Sequence, residues 1–69
     1  MLDTTDPIGQ RVRTLRVQHA LTQKDLAERA GVARFAVIRI ERGDPVRPLT
    51  VRKIARALGV TPTALTIGQ

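Results

Sequence analysis

The sequence predicts an all-α fold of five short helices around one core, and three observations predict it. Apolar residues recur at spacings of three and four, the period of a helix face, wherever the chain shows periodicity. Stop and start residues punctuate those segments: Gly31, Gly43 and Gly59 follow the last periodic positions, while Pro7 and Pro62 stand where helices begin. No segment alternates as a strand would, and there is no internal repeat or low-complexity tract.

Each element can be justified in order. Asp6 reads as the N-cap of the first helix, with Pro7 at its first position, because the missing proline N–H is not needed there. Ile8, Val12 and Leu15 then form one apolar stripe at i, i+4 and i+7, running to about His19. Ala20 and Leu21 serve as a connector. Thr22 is the next N-cap, opening a helix from Gln23 to Ala30 with Leu26, Ala27 and Ala30 inward. Asp25 stands where a capping box usually has Glu or Gln, so an imperfect box is expected. Gly31 stops this helix, since glycine enters the left-handed conformation at little cost.

After Gly31, Val32 and Ala33, a third helix runs from Arg34 to Arg42. Val37 and Ile40 point inward with Ala36 beside them, and Arg34, Phe35, Ile38, Arg39 and Arg42 share the opposite side. Gly43 ends it, and residues 44–48 form a stiff loop with two prolines. A fourth helix is expected to start near Thr50 as N-cap, with Val51, Ile54, Ala55 and Leu58 inward, and to stop at Gly59. Thr61 and Pro62 repeat the cap-plus-proline start, giving a last helix over Pro62–Thr66. The expected core is Ile8, Val12, Leu15, Leu26, Val37, Ile40, Val51, Ile54, Leu58 and Leu65.

Composition excludes several classes of function. With 69 residues the chain reads as one domain, 1–69, too small to stabilise itself by core burial with much to spare. It has no cysteine and one histidine, so neither a disulfide nor a structural zinc site is expected, nor any metal or other cofactor. No apolar run approaches the roughly 20 residues of a membrane span, and the N-terminus lacks a signal-peptide pattern, so a soluble cytoplasmic protein with no membrane partner is expected. Catalysis has little to stand on. His19 is isolated, Asp25 and Glu28 are spaced as solvated acids on one helix face, and no nucleophile has a recognisable base. The chain is not expected to be an enzyme.

Charge is the informative part of the composition. The net charge is +6, and all of it resides between residues 29 and 56. Seven arginines and Lys53 fall there against only Glu41 and Asp44, whereas residues 1–28 are neutral and 57–69 carry no charged side chain. An arginine-rich stretch of this kind suits a phosphate backbone, where each neutralised phosphate releases a counterion. An anionic membrane surface would satisfy the charge alone equally well.

Two short helices joined at Gly31 decide between polyanions. An angle at that glycine lets the second helix enter a major groove about 12 Å wide. Ala27 is the small residue where the two helices touch, and a larger one there would hold them apart; Val37 and Ile40 lock the second helix to the core. The helix-turn-helix spans about residues 22–42. The strings LTQKDLAERAGV (21–32), IERG (40–43) and KIARALGV (53–60) together make the resemblance specific. The chain resembles the phage repressor/Cro-type, or Xre-like, helix-turn-helix family from about Ile8 to Leu65, nearly its whole length. The resemblance implies a lambda-repressor-like five-helix domain that binds double-stranded DNA and regulates transcription.

It also implies roles for individual residues. Gln23 starts the second helix where the family's glutamine bonds a phosphate and steadies recognition side chains, and Thr22 adds a hydroxyl to the same phosphate. The chemistry agrees, because free N–H groups at a helix start attract an anion. Arg34, Phe35, Ile38 and Arg39 correspond to the positions that read bases. Arginine pairs with guanine O6 and N7, and an apolar ring suits the thymine methyl. Phe35 and Ile38 depart from the polar residues usual on that face, which leaves open a packing or protein-contact role. Arg42 and Arg47 fall where the family grips the sugar–phosphate backbone, while Leu49 replaces a basic residue that often approaches the minor groove. Arg16 and Glu41 match a pair the family often joins, so a partly buried ion pair is expected.

A repressor of this kind works as a dimer on a roughly palindromic operator. Leu58, Val60, Leu65 and Ile67 offer apolar surface for a C-terminal dimer contact. The alternative is the antitoxin half of a toxin–antitoxin pair, in which the same fold binds both operator DNA and a partner protein, a toxin or co-regulator.

Overall fold

A computed structural model describes residues 7–66, which form five helices. They are α1 (Pro7–Gln18), α2 (Gln23–Ala30), α3 (Arg34–Arg42), α4 (Pro48–Leu58) and α5 (Pro62–Thr66). Asp6, read as the cap of α1, and Ile67 lie outside the described residues.

The core is continuous. Val12, Leu26, Ala27, Val37, Ile40, Val51, Ile54, Ala55, Leu58 and Leu65 are all buried, with contributions from every helix. Ile8 and Leu15 of the expected core are only half-buried and pack against its rim; Ala27 and Ala55 take interior places instead. Small side chains win those places because α2 packs closely on both α3 and α4, leaving room for little more than a methyl group. Leu58 and Leu65 correct an expectation. They are 2% and 0% exposed, so the domain's own core uses them and neither supplies surface for a dimer; Val60 is half-buried against the same core. In a domain this small, the C-terminal helix is needed to close the open end of α1 and α4.

Local chemistry explains most of the boundaries. Thr22 Oγ1 accepts from the Asp25 backbone N–H at 2.9 Å, and Asp25 Oδ2 accepts from the Thr22 N–H at 3.0 Å. The box is therefore complete: at this helix start the shorter carboxylate reaches as well as Glu would. Gly31 closes α2 with φ +74°, its N–H returning to the carbonyl of Ala27. The fourth helix differs from expectation. It begins at Pro48 with Arg47 as N-cap, and Thr50 lies inside its first turn. Proline's fixed φ and missing N–H favour the first helical position, and this outweighs the capping preference of threonine.

Candidate nucleic-acid interface

The turn at Gly31 and the burial of Val37 and Ile40 hold α3 on the surface with one side outward. Arg34, Phe35, Arg39 and Arg42 on that side are exposed, and Ile38 is half-buried. Phe35, the sole aromatic residue of the chain, is 61% exposed. The Arg39 guanidinium lies over its ring, 5.9 Å from the centroid, and Arg39 Nε stands 4.0 Å from a carboxylate oxygen of Asp44. Arg39 is thus bracketed by a ring on one side and an anion on the other.

The start of α2 lies beside this face, joined to it by one network. Arg16 Nε donates to Glu41 Oε2 at 2.6 Å and Nη2 donates to Oε1 at 3.2 Å, a two-pronged ion pair whose side chains are 14% and 6% exposed. Arg16 Nη1 donates to the Leu21 carbonyl, fixing the loop between α1 and α2. Gln23 Nε2 donates to Glu41 Oε1 at 3.2 Å. The carboxylate of Glu41 therefore gathers the end of α1, the start of α2 and the end of α3. Gln23 retains a second amide hydrogen. Thr22 uses its oxygen as an acceptor in the capping box, so its hydroxyl hydrogen can still be donated. Beside them, the helix-start N–H of Thr22 is already bound by the Asp25 carboxylate. That hydrogen bond from the Thr22 backbone, with a second from its hydroxyl as long as no phosphate takes that hydrogen, holds the Asp25 carboxyl below its ordinary pKa.

A family model for the helix-turn-helix matches residues 12–65. The chain belongs to the Xre-like helix-turn-helix family. The Xre-like fold is that of a DNA-binding class of transcriptional regulators without enzymatic activity. The chain is also 38% identical over 60 residues to the immunity repressor protein of Bacillus phage phi105, an alignment covering 84% of this chain. It spans 41% of that repressor's length. Among the described residues, no helix is long and apolar enough to cross a membrane, and no group of acidic or histidine side chains could hold a metal ion.

Within this Xre-like domain, three residues that the sequence does not mark as part of an interface adjoin the arginine face. Pro45, Val46 and Thr50 line a groove of about 620 Å³ together with Phe35, Ala36, Arg39 and Arg47. Thr50 was assigned to a cap; the earlier start of α4 puts it in the groove wall instead. The signal was present in the Arg47–Pro48 dipeptide, which sets where α4 begins. Arg47 is exposed at the α4 N-cap and makes no side-chain cap bond.

Proposed function

We propose that the chain is a sequence-specific, double-stranded-DNA-binding transcriptional repressor that places α3 in the major groove. The observation carrying this reading is the outward face of α3 itself. Three exposed arginines stand on one side of a helix seated by a glycine turn, in a chain of the Xre-like family. Arg34 and Arg39 read bases, Phe35 and the exposed part of Ile38 supply apolar contact, and Arg42 and Arg47 grip phosphates. Thr22 and Gln23 hold a further phosphate at the start of α2. Similarity to a phage immunity repressor supports repression as the outcome.

Two copies bind an inverted repeat, with half-sites about 34–36 Å apart, one turn of the duplex. Selection from a randomised duplex library with the purified chain, at low and at high salt, tests the proposal. An enriched inverted repeat that survives high salt supports it, and a scattering mass of one chain per site rejects the dimer. Salt-sensitive binding without enrichment reduces Arg34 and Arg39 to phosphate contacts. The exposed Phe35 ring favours one second reading, an antitoxin whose α3 face also meets a protein partner. Copurification with a small toxin would support that reading over the stand-alone repressor.

A further inference from the structure

The outward face of α4 carries a cluster of cations that the reading of α3 leaves unused. Arg52, Lys53 and Arg56 are exposed and share one side of the helix at i, i+1 and i+4. The buried residues Val51, Ile54, Ala55 and Leu58 take the opposite side. Among the described residues none of the three cations makes a hydrogen bond or an ion pair, and no acidic residue follows Asp44. Arg56 stands in the last turn, where the helix dipole favours a cation, but Arg52 and Lys53 lie further from that end. Arg52 and Arg56 are like charges one turn apart, an arrangement that weakens a helix rather than supporting it. The fold gains little from this cluster, whereas a polyanion would gain three charge contacts. A protein partner wants an apolar centre with charge reduced. Leu49, the one large exposed apolar side chain of α4, stands at the end of the cluster and not in its middle. Phosphates need the cations alone.

The cluster does not point where the α3 face points. α4 packs chiefly on α2 and α5, and only its start borders the groove shared with α3, through Thr50. By helical geometry Thr50 lies roughly a third of a turn round α4 from the middle of the cluster. The three cations therefore face round a corner from Phe35 and Arg39, and each lies farther along α4 from the groove than Thr50 does. We propose that Arg52, Lys53 and Arg56 hold the phosphate backbone of a second duplex while α3 occupies the first. Resting on the DNA-binding reading above, this gives the domain a route between duplexes. A chain that touches two duplexes at once passes from one to the other without first entering free solution. Release from the first is then accelerated by the second.

The rate of release tests this. The whole chain is bound to a fluorescent duplex enriched from the randomised library, or to one of mixed sequence if none is enriched. It is then chased with unlabelled mixed-sequence duplex while anisotropy is followed. Raising the chase from about 1 µM to about 100 µM, the span of non-specific dissociation constants, accelerates release several-fold. The accelerated part falls with roughly the third power of salt concentration, as expected of three neutralised phosphates. Replacing all three cations (Arg52→Gln, Lys53→Gln and Arg56→Gln) removes the acceleration and leaves release at the lowest chase unchanged, with the fold checked by circular dichroism. Each single exchange removes part of it, and Arg52→Lys with Arg56→Lys keeps it. Poly-L-glutamate in place of the chase duplex does not accelerate release. Acceleration that persists in the triple variant overturns the proposal, as does release of the wild type that ignores the chase. Faster release of the triple variant at every chase concentration puts the cations on the first duplex and overturns it too. Equal acceleration by poly-L-glutamate makes an acidic protein surface the occupant instead. In each of these cases the DNA-binding reading stands, whereas a chain that binds no duplex overturns both.

Discussion

Glu41 is the residue on which the interface's geometry converges. Its carboxylate accepts from Arg16 and Gln23, and its side chain is 6% exposed. Removing one partner of a buried pair leaves the other charge uncompensated, at a cost of about 3–5 kcal/mol. Glu41→Ala is therefore expected to lower the melting temperature by more than about 10 °C. An unchanged midpoint in a thermal melt rejects this. Asp25 gives a pH dependence, and its solvated carboxylate acts through the helix cap. Its folded pKa is depressed below the ordinary value of 3.8 by hydrogen bonds from Thr22. The charged form thus favours folding. The contribution is present above the unfolded pKa and is lost as pH falls through the lower folded one. Melts of the wild type and Asp25→Asn, taken from about pH 6 down to about pH 2, should show a gap that closes in acid. A gap constant with pH overturns the assignment.

At the scale of the element, the end of α1 stores the clearest strain. Ala20 adopts φ +57°, the one non-glycine residue with positive φ among those described. Its N–H returns to the Val17 carbonyl and that of Leu21 to Arg16, the pattern in which a helix closes on a left-handed residue. The left-handed region costs an L-residue about 1–2 kcal/mol, and glycine returns part of that as added freedom in the unfolded chain. Ala20→Gly is expected to stabilise the domain by about 0.5–1 kcal/mol, raising the melting temperature by a few degrees. A fall would show that the local backbone is not strained. The caps of α3 and α4 are also instructive. Neither Ala33 nor Arg47 makes a side-chain cap bond, in contrast to Thr22 on α2. The helix starts beside the arginine groove are thus closed by backbone hydrogen bonds to Ala33 and Arg47, without a side-chain cap.

At the scale of the molecule, charge and shape act together. The described chain beyond Asp44 holds no acidic residue, while Arg47, Arg52, Lys53 and Arg56 are all exposed. The α3 face and the loop after it present Arg34, Arg39, Arg42 and Arg47, and α4 adds Arg52, Lys53 and Arg56, so the positive field that attracts DNA spans both elements. Arg47→Ala should weaken every duplex alike and reduce the salt slope by about one, because it removes one phosphate contact and no base contact. Arg39→Ala should instead erode discrimination at one step by about 1–3 kcal/mol. Anisotropy titrations of the enriched and a scrambled duplex across a salt series distinguish the two. Equal losses on both duplexes for Arg39→Ala would remove it from the base-reading set.

The elements were legible because their signals are local. Helical spacing, the proline starts and the glycine stops bound α2, α3 and α5 as observed, and the family motif was carried by residues within the helix-turn-helix. The start of α4 misled because two local preferences compete there, a threonine cap and a proline at the first helical position, and only backbone geometry ranks them. The strain at Ala20 gave no sign, since no glycine marks that turn. What the sequence determined by itself was the set of helices, their inward stripes and the basic character of one side, all set by interactions within a few residues. What only the tertiary structure decided was which partners meet across the chain. Ile8 and Leu15 stay at the rim of the core, Gln23 joins Arg16 on Glu41, and Arg39 rests between Phe35 and Asp44. Most of those meetings depend on how α1, α2 and α3 pack, and the last on where the loop after Gly43 folds back, neither of which a local pattern encodes.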